Sequence, residues 1–262
     1  MPAVPRLAEL DETTEGVLPS QLLAEAAQAG WVDAGELRVP ATNIQPASLD
    51  LRLGERAYRM RCSFLPGDRE VERKMKDFVV DELDLRREGA VLETGRPYLV
   101  PLAESLSLPA FARGRTNPKS STGRLDVFTR VVSDYSYRFD EVAPGYQGPL
   151  YVEIVPLSFA VRARQGLALN QLRLMVGSSR LSDDEIRRRH ANEPLLYIGG
   201  RPASSGEICT GGGILLSLDL SGGRGAHVGY RAREHTLALD MAKPGAHRVE
   251  DYWERVEAEE EG

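Results

Sequence analysis

The chain has 262 residues, 42% of them hydrophobic, enough to bury a sizeable core as one large domain or two small ones. Its 33 Lys and Arg against 39 Asp and Glu leave a net charge of -6, which repels polyanions and argues against a nucleic-acid polymer as partner. No apolar run approaches the ~20 residues of a spanning helix, and MPAVPRLAELDETTEG lacks the basic and apolar regions of a secretion signal, so no membrane partner and a cytoplasmic location are expected.

In chain order, residues 1–16 read as a flexible N-terminus. Val17 to Gly30 reads as a short helix, with Ser20 as N-cap, Leu22, Leu23, Ala26 and Ala27 on one face, and Gly30 as the stop. From Ile44 the pattern changes to short alternating runs broken by Gly and Pro: SLDLRL, RAYRMR, PYLVPL, LDVFTRVV, LYVEIVP, FAVRAR and NQLRLMV. Repeated short strands of this kind predict a β-sandwich or jelly-roll rather than a doubly wound sheet. Residues 66–90 are a charged insertion that could hold a helix but reads first as a solvated surface excursion.

The β domain is expected to span residues 17–177, followed by a connector, 178–205. Within the connector Ser182 and Glu185 have the spacing of a capping box. Residues 206–256 read as a partial second β segment and 257–262 as an acidic tail. Ser48-Leu-Asp-Leu51 recurs as Ser217-Leu-Asp-Leu220, each copy followed by a Gly and a Tyr-Arg pair, Tyr58-Arg59 and Tyr230-Arg231. The glycines from Gly223 to Gly229 have the wrong spacing for a dinucleotide fingerprint.

The densest chemistry lies between Asn117 and Glu153. Pro118-Lys119-Ser120-Ser121-Thr122-Gly123 offers hydroxyls and backbone N–H groups that can wrap an oxyanion, and Lys119 and Arg124 flank it with cations. With Arg113, Arg115 and Arg130 these two can form a small positive pocket on an acidic protein. Tyr151-Val152-Glu153-Ile154 alternates as a half-buried strand does, placing the carboxylate on a rigid element. Cys62 and Cys209 form no CxxC, and His190, His227, His235 and His247 are dispersed, so no protein-ligated metal is expected.

Four blocks in order, IQPASLDLRLG from Ile44, PKSSTGRLD from Pro118, APGYQGPLYVEI from Ala143 and GLALNQLR from Gly166, resemble the dCTP deaminase branch of the dUTPase-like superfamily, in particular the N-terminal half of its tandem two-half subgroup. The resemblance implies a mainly β, dUTPase-like distorted β-barrel or jelly-roll with a short N-terminal helix and helical insertions. It also implies hydrolytic deamination of dCTP to dUTP and ammonia in a homotrimer, with Mg²⁺ carried by the triphosphate.

By the same resemblance Glu153 is the proton shuttle, Ser120 orients water and Arg124 steadies the carboxylate. Lys119 and Ser121 contact phosphates, Gly123 permits close approach, Val132 and Ser133 lie along the base, and Gln171 and Arg173 close the nucleotide site. Lys119 stands where the family commonly carries arginine, and residues 135–142 are extra relative to compact members. The H-x-E and P-C-x-x-C elements of zinc deaminases are absent. The competing expectations are dUTP diphosphatase activity, alone or combined in one site, with Asp134 or Asp140 as a nearby aspartate, and a non-catalytic nucleotide-binding remnant.

Overall fold

A computed structural model describes residues 6–217 and 227–257. Helix α1, Ser20–Gln28, buries Leu22, Leu23 and Ala26. Its cap is Pro19 rather than Ser20, because the Pro19 carbonyl already accepts from the Leu23 N–H (2.9 Å) and the Ser20 N–H is taken by Pro46 O. Gly30, at φ +80°, turns the chain out of the helix.

Eight longer strands follow: β1 Ser48–Arg52, β2 Arg56–Met60, β3 Val79–Asp84, β4 Tyr98–Ser107, β5 Ala112–Pro118, β6 Val127–Ser133, β7 Gln147–Pro156 and β8 Ala168–Val176. The first sheet runs β5-β8-β1, extended by Glu141–Val142 beside β5 and by Ile44–Gln45 beside β1. The second runs β6-β7-β4-β2-β3. All pairs along these two paths are antiparallel. The sheets stay separate rather than closing into a barrel, joined by a bridge at Leu53 and Leu102.

Alternation decides which residues face the shared core. Leu49 and Leu51 of β1, Val127 and Val131 of β6, Leu150, Val152 and Ile154 of β7, and Leu172, Leu174 and Val176 of β8 pack between the sheets. Beside the bridge a buried ion pair ties one sheet to the other. Glu104 of β4 accepts from both the backbone N–H (2.7 Å) and Nε (2.6 Å) of Arg52. Burial pushes the Glu104 carboxyl above its ordinary range, against the pull of Arg52.

The charged insertion is built more firmly than its composition suggests. It forms a short helix, α2 (Val71–Met75), and then β3, which pairs with β2. Its few apolar residues account for this. Val71 and Met75 are buried on the outer face of the second sheet with Met60, Leu99, Val132 and Tyr151. Asp134, at the end of the β6 hairpin, accepts the Val71 N–H at 2.8 Å and pins the insertion.

The chain divides into two compact units, one comprising residues up to Ser178 with Ala232–Trp253, the other Ser179–Arg231 with the residues from Glu254 on. In the first unit the late segment adds a parallel strand, Leu239–Asp240, to Val161–Ala163. Phe159, 2% exposed, meets Tyr252 and Trp253 edge-on at 5.4 and 4.9 Å between ring centroids. In the second unit a helix, Asp183–Asn192, carries the expected box, Ser182 Oγ accepting from the Glu185 N–H and the Glu185 carboxylate accepting from the Ser182 N–H. His190 is buried there, Nδ1 accepting from Leu195 N–H and Nε2 donating to Ala203 O. The repeat at 217–220, the glycines from 223 and the acidic tail fall largely outside the described residues.

Phe159→Ala should lower unfolding stability by about 3–5 kcal/mol. Because only Trp31 and Trp253 emit, loosening of the returning segment should also red-shift tryptophan fluorescence before global unfolding.

Candidate active site

Glu153 is held by the turn that precedes its strand and by its neighbours across the sheet. Ala143-Pro144-Gly145-Tyr146 is a type II turn, Tyr146 N–H donating to Ala143 O (3.2 Å) with Gly145 at φ +70°. β7 then places Glu153 opposite Arg130 of β6 and Leu99 of β4, all three on the outer face of the second sheet. The side chain is only 5% exposed. Its Oε1 accepts from Arg130 Nε at 2.8 Å, while Oε2 makes no hydrogen bond among the described residues.

Arg130 is itself fixed. Its guanidinium lies 3.6 Å from the centroid of Phe139 and 5.3 Å from that of Phe128, and Nη2 donates to Ser63 Oγ. Val132 belongs to the same face, buried against Tyr151, whereas Ser133, also buried, ends β6. Burial, with Glu72 and Asp134 nearby, raises the Tyr151 hydroxyl above the ordinary phenol range.

The phosphate-type run forms one helical turn, α3 (Ser120–Arg124), which carries the chain from β5 in the first sheet to β6 in the second. Closing that turn uses the Thr122 and Gly123 N–H groups, both bonded to Lys119 O. Thr122 is buried, and Ser120, Ser121, Gly123 and Arg124 are exposed. Neither Ser120 nor Arg124 bonds to Glu153 among the described residues; the glutamate's partner is Arg130.

Lys119, Gln171 and Arg173 gather on the outer face of the first sheet. Lys119 Nζ pairs with Asp50 Oδ2, and Asp50 Oδ1 is buried without a hydrogen-bond partner. Gln171 Oε1 accepts from Ser48 Oγ at 2.8 Å, and Arg173 Nη1 donates to Asn117 Oδ1. The SLDL, PKSST and NQLR blocks therefore meet through β1, β8 and β5, where Gln171 stands opposite both Asp50 and Asn117. A cavity of about 410 Å³ opens beside α3, with Lys119 and Ser121 on one wall and Lys243, His247 and Arg248 of the returning segment on another. Glu153 does not line it.

Asp134 and Asp140 are engaged in structure. Asp134 caps Val71, and Asp140 Oδ1 accepts from Val131 N–H and Thr116 Oγ1, each at 2.8 Å. Burial raises both carboxyls. Among the described residues no cluster of three or more His, Cys, Asp or Glu could hold a metal ion, and no helix is long and apolar enough to cross a membrane. Sequence reasoning missed the pairing of Arg130 with Glu153. The available signal was the one charged residue in the strand-like run VFTRVV, which a turn-bearing segment separates from LYVEIVP.

The family model for the 2'-deoxycytidine 5'-triphosphate deaminase N-terminal domain matches residues 14–178, and that for the C-terminal domain matches 182–262. A "dCTP deaminase, dUMP-forming" of Corynebacterium glutamicum is 29% identical over 154 residues, covering 56% of this chain and 77% of the relative. A "dCTP deaminase" of Natronomonas pharaonis is 28% identical over 162 residues, covering 58% and 78%. The crystal structure of 2'-deoxycytidine 5'-triphosphate deaminase from Agrobacterium tumefaciens superposes with a TM-score of 0.85 at 42% identity, covering 94% of this chain and 70% of that one.

Asp140→Asn keeps the acceptor oxygen but removes the ionisation. A raised carboxyl pKa means the folded state holds the proton more tightly than the unfolded chain, so the parent loses stability as pH rises from about 4 through that raised pKa. Denaturation midpoints across pH should shift in favour of the Asn variant over that window; a pH-independent difference would contradict the assignment.

Proposed function

The chain belongs to the 2'-deoxycytidine 5'-triphosphate deaminase family, and from that membership we propose that it hydrolyses dCTP to dUTP and ammonia. The observation that carries this is the Glu153 carboxylate, buried on a central strand with one oxygen fixed by an arginine and the other free to meet water. Glu153 takes a proton from water as its oxygen bonds to C4 of the cytosine ring, and the proton passes to ring N3. The second proton of the water, now on the C4 hydroxyl, passes by way of Glu153 to the amino group, the C4–N bond breaks, ammonia leaves, and C4 becomes a carbonyl. Water and dCTP are the only reactants consumed.

Lys119 and Ser121, on the wall of the cavity beside α3, receive the triphosphate with the Mg²⁺ it carries. Gly123 lets the chain approach closely, and Gln171 and Arg173 brace that end. Val132 and Ser133 border the base. Ser120 and Arg124, exposed and without a bond to Glu153 in the single chain, orient water and steady the carboxylate of a neighbouring copy in a cytoplasmic homotrimer.

A second reading continues through dUTP to dUMP and pyrophosphate. It is favoured by the relatives whose names include "dUMP-forming". Incubation with dCTP or dUTP and Mg²⁺, with ammonia, nucleotides and pyrophosphate resolved together, separates the readings. Turnover of neither nucleotide by folded protein would overturn both.

Glu153→Gln should lower deamination at least about 10³-fold with nucleotide binding retained, and Arg124→Ala should damage both. Because the site is assigned to two copies, mixing these two variants after subunit exchange should restore part of the activity. A mixture as inactive as its components would place the site within one chain.

A further inference from the structure

Two stretches remain without a part in this scheme: the charged insertion and the extra residues 135–142. Both converge on one side chain. Ser63, three residues before the first, accepts a hydrogen bond from Arg130 Nη2, and Phe139, in the second, lies under the guanidinium at 3.6 Å. Each stretch is anchored to the β6 hairpin by an aspartate: Asp134 Oδ1 accepts from Val71 N–H, and Asp140 Oδ1 accepts from Val131 N–H and Thr116 Oγ1. Phe78 and Phe139 of these stretches, with Phe64 just before the first, pack onto the buried cluster around Leu99, the residue that flanks Glu153 on its other side.

We infer that Arg130 is the positioning residue of the reaction, clamped by Ser63 and Phe139 so that its Nε fixes Glu153 Oε1 and leaves Oε2 aimed at the attacking water. The inference rests on the assignment of Glu153 as proton shuttle. A planar guanidinium suits the task because three parts of it are used at once: Nε–H to the carboxylate, Nη2–H to a hydroxyl, and its flat face to an aromatic ring. An ammonium offers one point of charge and no face. The carboxylate then enters the reaction without swinging among rotamers, and misplacement by even an ångström is expected to be expensive in rate. The insertions are in this view part of the catalytic apparatus, although no residue in them touches the glutamate.

The test uses the full chain. Arg130→Ala should reduce kcat for dCTP by roughly 10²-fold with KM changed less than about threefold, and guanidinium or methylguanidinium ion at millimolar concentration should restore about tenfold of that loss, whereas urea at the same concentration should not. Arg130→Lys should fall between parent and Ala. Phe139→Leu, which keeps the apolar cover but removes the aromatic face, should lower kcat several-fold at unchanged KM. Circular dichroism and thermal midpoints establish that each variant is folded; if Arg130→Ala does not fold, Arg130→Lys and Phe139→Leu carry the test. Parent-like kcat in Arg130→Ala, or a loss shared by kcat and KM that guanidinium cannot rescue, overturns the inference. Glu153→Gln run in parallel separates the two claims: an active Glu153→Gln removes the functional reading, while an inactive Glu153→Gln beside an active Arg130→Ala removes Arg130 alone.

Discussion

An antiparallel strand can give only every second residue to the core between two sheets, and that constraint places the buried polar side chains of this protein. On β7, Leu150, Val152 and Ile154 are spent on the shared interior, so Glu153 must stand on the opposite face. On β1, Leu49 and Leu51 go inward, so Ser48 and Asp50 must go outward. An outer face is ordinarily wet. For the carboxylate to work in a dry site, something outside the sandwich has to cover it.

The covering is where the unusual energetics lie. Removing a carboxylate from water is costly unless a partner and hydrogen bonds compensate, and breaking such a pair by deleting one member typically costs 3–5 kcal/mol. Arg130 supplies the charge, and Phe139 supplies a surface that a guanidinium tolerates better than an ammonium does. The strain of bringing the extra residues back to the sheet is visible in Tyr135 and Asp140, both at positive φ, with Asp140 also bonding two separate strands. The outer face of the first sheet solves the same problem differently. Asp50 is matched by Lys119, and Ser48 by Gln171, so three sequence blocks are locked together by polar contacts.

What could be read from the sequence was whatever depends on neighbours in the chain. The Ser182 box needs only residues three apart, the strands need only alternation, and the turn before β7 needs only Pro144 and Gly145. What could not be read depends on register or on minority composition. Arg130 and Glu153 are 23 residues apart and meet only once residues 134–146 have looped out between the paired strands, a length that no local rule fixes. The charged insertion looked solvated because Val71, Met75 and Phe78 are few among many charges, yet those few are the ones that pack. Ser20 lost the cap position to Pro19 through a carbonyl contact from Pro46, distant in sequence. The return of Ala232–Trp253 to the first unit follows from an aromatic cluster centred on Phe159, which no periodicity announces.

The two outer faces of a sandwich point away from each other. Lys119, Gln171 and Arg173 lie on one of them and Glu153 on the other, with α3 passing between the sheets. A single nucleotide could touch both sets in one chain only by wrapping around the edge that α3 crosses, whereas two copies set face to face can present the cationic side of one to the carboxylate side of the other. The exposure of Ser120 and Arg124, polar groups with no bond to Glu153 in their own chain, favours the second arrangement. On that reasoning the clamp on Arg130 has a further consequence: the carboxylate is oriented before any neighbour arrives, so assembly has only to bring the phosphate end and not to build the shuttle.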